Sequence, residues 1–168
     1  AIIYADNLSD ADLEIIKALG QRFHVHPLAL EDVVHVHQRP KAEAYEDFLF
    51  VVVRMPDGED PSQTEQLSLF IGEHYVITFQ EHAGDCLDPV RARIRHGQGR
   101  IRRSGADYLA YALLDAVVDR YFPWVEHNDA ELAQVEDNVL GGTAEHRVID
   151  TLARLRRRFA RLRRLLGG

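Results

Sequence analysis

The spacing of apolar positions changes character along the chain, and each change marks an element. "AIIYA" (1–5) is short and apolar and reads as a strand. "SDADLEIIKALGQRF" follows, with Leu13, Ile16, Leu19 and Phe23 on one helical stripe. Ser9 opens it as N-cap, and Asp12 stands where a capping box usually has Glu or Gln. Pro27 suits the first turn of a second, short helix running to about His35, because its missing N–H would have no partner there. Pro40 stops that helix and biases Arg39 towards extended backbone.

Three β-rich runs come next: "EAYEDFLFVVVRM", "TEQLSLFIGE" and "YVITFQE". "MPDGEDPSQ" is a loop between the first two, and "IGEHY" is short enough for an antiparallel hairpin between the second and third. "LDPVRARIRHG" reads as a short helix and "GQGRIRRSG" as a loop. Helices on either side of a set of strands predict a sheet covered on both faces.

From Ala106 the pattern is purely helical. Leu114, Val118, Tyr121, Val125, Leu132, Val135 and Val139 recur at three, four and seven, with Pro123 expected to kink the helix. "GGT" at 141–143 supplies a glycine stop and a Thr143 N-cap. Val148, Leu152, Leu155, Phe159, Leu162 and Leu166 then form a second stripe, so the two helices are expected to fold back as an antiparallel hairpin. The pattern divides the chain into a sheet domain, 1–104, and a helical hairpin, 105–168.

Composition narrows the classes. A single cysteine, Cys86, excludes an internal disulfide and a cysteine-based zinc site, and suits a reducing compartment. No apolar run approaches the ~20 residues that cross a bilayer. The chain opens on an apolar run without Met and stops within a helical pattern, so it is expected to be a piece of a longer protein. A net charge of -7 argues against a general nucleic-acid binder. Eight arginines lie between Arg147 and Arg164, but Glu126, Asp129, Glu131, Glu136 and Asp137 face them in a folded hairpin, and charge pairing is the expected use.

Two clusters carry candidate chemistry. His24, His26, His35 and His37 flank Glu31 and Asp32, yet a His–Glu–x–x–His zinc motif is absent and His26, just before Pro27, sits where capping is common. Glu31 and Asp32 point about 100° apart on a helix, and Asp115 and Asp119 share a helical face one turn apart. Carboxylates are hard ligands suited to Mg²⁺ or Ca²⁺; spacing alone leaves solvated or arginine-paired acids as an equal reading. No phosphate loop, nucleophile elbow or other catalytic constellation is present, and the chain does not read as an enzyme.

"HPLALEDV", "HQRPKAEAYEDFLFVVVRM", "EQLSLFIGEHYVITFQE", "DPVRARIR" and "ADYLAYALLDAVVD" together resemble the cytoplasmic N-terminal domain of CorA-type magnesium/cobalt transporters. The blocks occur in the family's order and span nearly the whole chain. The resemblance implies an α/β fold, a three-layer α/β/α sandwich with a mixed sheet followed by a long antiparallel helical hairpin. It also implies a homopentameric parent on the cytoplasmic face of the inner membrane, joined to it through a stalk helix, two transmembrane helices and a Gly-Met-Asn signature that this chain lacks. The family binds regulatory divalent cations between neighbouring cytoplasmic domains. Carried onto this sequence by motif, Glu31, Asp32 and Asp115 become Mg²⁺ ligands (Co²⁺ as a further ion), with one partner carboxylate expected from a neighbour's stalk helix. A zinc-transporting member of the same superfamily is the near alternative. A purely structural oligomerisation module and a soluble metal-dependent hydrolase are the alternatives from other classes.

Overall fold

A computed structural model describes residues 3–4, 10–57, 63–81, 84–97, 99–142 and 145–165. In chain order the elements are β1 (Ile3–Tyr4), α1 (Asp10–Arg22), α2 (Pro27–Val34), β2 (Lys41–Ala44), β3 (Phe48–Pro56), β4 (Thr64–Gly72), β5 (Val76–Gln80), α3 (Asp88–His96), α4 (Ala106–Asp119), α5 (Phe122–Leu140) and α6 (Glu145–Leu165). The Ser9 capping box and the Thr143 cap fall outside the described residues.

The strands form one sheet in the order β1-β5-β4-β3-β2, with β1 parallel to β5 and the other pairs antiparallel. β3 and β4 pair along their whole lengths, from Phe48↔Gly72 to Pro56↔Thr64. Alternation along these strands is apolar on both faces, as a sheet covered on both sides requires. Phe48, Phe50, Val52, Phe70 and Phe79 meet Ile16 of α1 and Ala29 and Val33 of α2. Val51, Met55, Leu67 and Leu69 meet Val90 of α3 and Ala112, Leu113 and Val117 of α4. The result is the expected three-layer sandwich with a mixed sheet.

Three details differ from the pattern. The run "EAYEDFLFVVVRM" is two strands, because Tyr45 N–H donates to Phe48 O at 2.8 Å and closes a turn over the exposed Glu46 and Asp47. The helix from Ala106 breaks completely: Pro123 sits in the first turn of α5, where its ring and missing N–H end the i to i−4 ladder that α4 would otherwise continue. Third, α4, which the periodicity groups with the hairpin, lies on the sheet with Ala110, Ala112, Leu113 and Val117 buried, while Val118 stands exposed on the opposite side. The Tyr121 hydroxyl at the break donates to Arg54 O of β3 at 2.8 Å, and burial pushes this phenol up to about 12.

α5 and α6 make the antiparallel hairpin. Trp124 meets Phe159 edge to face at 5.3 Å, and Val135 and Leu155 are buried. Among the described residues, ion pairing across the seam converges on Glu131, which accepts from Arg154 and from Arg158 at 2.7 Å. Buried Asn128 donates to Trp124 O at 2.6 Å and accepts from Arg158.

Asp85 anchors the loop before α3. Burial alone would raise its carboxyl, but Arg91 at 2.6 Å, the Leu87 N–H at 2.8 Å and Gln80 together hold it below the ordinary carboxylate value. A depressed folded value contributes stability above the unfolded value, and that contribution disappears as pH falls through the folded one.

Two outcomes are expected. Phe70, fully buried and stacked with Phe50 at 4.7 Å, is central to one core; Phe70→Ala should cost about 3–5 kcal/mol, read as a lower urea midpoint at unchanged slope. Asp85→Asn should lower stability at neutral pH and flatten its decline on the acid side, and an unaltered acid limb would contradict the assignment.

Candidate metal centre

The stretch that holds the histidines is a helix with its two ends built from them. α1 ends with Phe23 N–H on Leu19 O and Val25 N–H on Gly20 O, both at 2.9 Å, around His24 in the left-handed region at φ 53°. His26 is the N-cap of α2, its Nδ1 accepting from the Leu28 N–H at 3.2 Å. At the other end, His35 donates twice to Glu31 O, from its backbone N–H and from its ring Nδ1–H, each at 2.9 Å. Two of the four histidines, His26 and His35, thus have local structural uses that require no metal.

The carboxylates of α2 stand apart from these caps. Glu31 is exposed, whereas Asp32 is half-buried and accepts from Lys41 Nζ at 2.6 Å. Lys41 begins the edge strand β2, where its register partner is Val52 and that of Glu43 is Phe50. Residues directly opposite share a face, so both side chains point to the α2 side of the sheet. There Lys41 also meets Glu43 at 2.9 Å and lies 5.6 Å from the Phe50 ring centroid. Burial would lower the Lys41 ammonium, but the bonds and charges of Asp32 and Glu43 outweigh it and hold it above its ordinary value.

A buried amide fixes the backbone of α2 above β4. Gln66, only 2% exposed, donates from Nε2 to Asp32 O at 2.9 Å and to Ser68 Oγ at 3.1 Å, and its Oε1 accepts from the Gln38 N–H at 3.0 Å. Arg54 donates to Val36 O at 3.1 Å and to Thr64 Oγ1 at 3.0 Å, and reaches Glu81 at 3.5 Å. Glu81 in turn accepts from the Gln66 backbone N–H. This network holds the α2 end and the chain beyond it down on the sheet. Motif reading missed it, although polar residues within an apolar strand run, "TEQLSLFIGE", are the available signal: buried polar groups are informative because they must be bonded.

Asp115 lies on the exposed side of α4. Its charge, and the hydrogen bond it accepts from the Tyr111 phenol one turn earlier, raise that phenol above its ordinary value. Asp119 is exposed one turn further on. Since α2 and α4 cover opposite faces of the sheet, Glu31 and Asp32 lie on one outer layer and Asp115 on the other. Within one chain the sheet separates them, and no single ion touches both sets. Among the described residues no three His, Cys, Asp or Glu side chains converge on a common point. The donor atoms themselves, hard carboxylate oxygens, are of the kind that suits Mg²⁺.

Residues 3–167 match the family described as CorA-like Mg²⁺ transporter protein. The chain is similar to the Cobalt/magnesium transport protein CorA of Thermotoga maritima, 40% identical over 156 residues that cover 91% of this chain and 44% of that protein. It therefore spans less than half the length of that relative. Among solved structures, the full-length CmaX protein superposes with a TM-score of 0.73 at 21% identity, covering 92% of this chain and 48% of that one. The soluble domain of CorA from Methanocaldococcus jannaschii gives 0.62 at 19% identity, covering 90% of this chain and 61% of that one. These two likenesses are of fold.

Gln66→Leu keeps the approximate volume and strips three hydrogen bonds from the α2 anchor. It should cost about 1–3 kcal/mol by leaving buried groups unbonded, and hydrogen exchange should accelerate at Gln38 and around Asp32. Unchanged exchange there would remove Gln66 from the role of anchor.

Proposed function

The chain belongs to the CorA-like Mg²⁺ transporter family, and from that premise we propose that it is the metal-sensing regulatory domain of a Mg²⁺ transporter, with Co²⁺ as a second ion. It works on the cytoplasmic face of the inner membrane, in a homopentamer whose membrane-crossing parts lie elsewhere in the protein. Among the described residues no helix is long and apolar enough to cross a membrane. The family is one of transporters, and the residues present suggest no reaction.

One observation carries the reading. Glu31 and Asp32 stand on one outer layer of the sandwich and Asp115 on the other, each a partial ligand set. Half-sites on opposite faces are what a ring of identical subunits needs, since each interface apposes one face of a subunit to the other face of its neighbour. Carboxylates brought together across such an interface repel, more strongly where water is partly excluded. A bridging Mg²⁺ cancels the repulsion and favours the closed, symmetric ring. When internal Mg²⁺ falls, the ions leave, the interfaces loosen and the pore opens. Each ion biases the equilibrium only by its differential affinity for the two states, so several interfaces in concert sharpen the response.

A purely structural oligomerisation module is the second reading, favoured by exposed apolar residues on the hairpin, among them Leu140 at 86% and Ile149 at 63% exposure. It predicts self-association indifferent to metal. The two readings separate in the full-length protein: Asp32→Ala and Asp115→Ala should each raise the internal Mg²⁺ needed for half-inhibition by about tenfold, ~1.4 kcal/mol. Unchanged inhibition in both variants, with assembly insensitive to chelation, would favour the structural module.

A further inference from the structure

The Asp32 carboxylate already holds a cation. Lys41 Nζ sits 2.6 Å from its Oδ2, and the ammonium is itself secured at three points: Glu43 at 2.9 Å, the Phe50 ring at 5.6 Å, and the β2 backbone paired to β3. Glu43 is steadied in turn by the Tyr45 hydroxyl, which donates to its other oxygen at 3.3 Å. On the opposite side of the pair, the Asp32 backbone is fixed by Gln66. Neither partner is a free surface side chain, since Lys41 is 27% and Asp32 22% exposed.

An ammonium in this place and a divalent ion on the same carboxylate compete with each other. Mg²⁺ binds carboxylate oxygen at about 2.0–2.1 Å, which would put two like charges within a few ångströms of one another in a partly dehydrated site. A dication therefore loads more readily as the ammonium withdraws. Glu43 makes that withdrawal feasible: it keeps a carboxylate beside Lys41 after Asp32 is lost, so the displaced charge is never left without a counter-ion.

We propose that Lys41 is a tethered competitor for Asp32, and that the exchange of its ammonium for a divalent cation sets the concentration at which the regulatory site fills. The proposal rests on the reading of Asp32 as a metal ligand and adds to it the residue that determines the threshold. A sensor of an abundant ion needs weak binding, and a built-in ammonium weakens it without removing any ligand. Monovalent ions do not reproduce the effect, because one more single positive charge gains nothing over the lysine already present.

The test is calorimetric titration of the full-length protein with Mg²⁺ and with Co²⁺, in wild type, Lys41→Met, Lys41→Gln, Arg39→Met, Asp32→Ala and the Lys41→Met/Asp32→Ala double variant. Lys41→Met keeps the aliphatic stem over Phe50, and Lys41→Gln is the second variant should the first fold poorly. Arg39, exposed and outside the ion pair on Asp32, controls for the general loss of a positive charge. Expected is a Kd lower by about three- to tenfold in both Lys41 variants, no comparable change in Arg39→Met, and no effect of Lys41→Met once Asp32 is Ala. Binding that needs Asp32 but is unchanged or weakened in the Lys41 variants would overturn the competitor while leaving the metal reading intact. Binding indifferent to Asp32→Ala would remove the metal reading and the competitor with it.

Discussion

Burial of the central strands on both faces is the constraint from which the rest follows. β3 and β4 carry apolar side chains up and down, so each face must be covered by its own helical layer. That places α2 and α4 on opposite outer surfaces and sends the carboxylates they carry in opposite directions. A protein built this way does not close Glu31, Asp32 and Asp115 around one ion by itself. The geometry that buries the sheet keeps these carboxylates on separate outer layers.

The same burial explains why the polar residues of the sheet are arranged as they are. Gln66 and Arg54 lie in strands where any unbonded group would be costly, and their bonds run outward to Asp32 O, Gln38 N–H and Val36 O. The sheet interior thus reaches through α2 to the end where Asp32 stands. A second connection arrives laterally, from Lys41 on the edge strand. Asp32 is fixed through its backbone from below and held by an ammonium through its carboxylate from the side, whereas the exposed Asp115 carboxylate meets the Tyr111 phenol of its own helix. Of the three candidate ligands, Asp32 is the one whose availability the fold itself controls.

Much of this was legible along the chain. His26–Pro27 announced the start of α2, the paired apolar runs announced the sheet, and the two apolar stripes joined by the glycine turn announced the hairpin. What was not legible depended on distance in sequence. Lys41 reaches Asp32 only because β2 docks at the sheet edge beside α2, a neighbourhood that no local pattern encodes. Gln66 looks like an intrusion in a strand until α2 is known to lie over it. Pro123 was expected to kink one continuous helix, but the chain breaks there into two, with the Tyr121 bond to Arg54 O fixing the corner against the sheet. The many charges of the hairpin suggested pairing along its length, yet among the described residues it gathers on Glu131, because Asn128 and the Trp124–Phe159 contact set the register of the seam.

The central claim, that carboxylates from opposite layers of neighbouring subunits share divalent ions, is tested most directly by anomalous diffraction from crystals of the assembled protein grown with Co²⁺. The account predicts cobalt peaks at subunit interfaces, beside Glu31 and Asp32 of one subunit and a carboxylate of the next, with Lys41 withdrawn towards Glu43. Cobalt held within a single subunit by His24, His26, His35 or His37, and none at the interfaces, would contradict it.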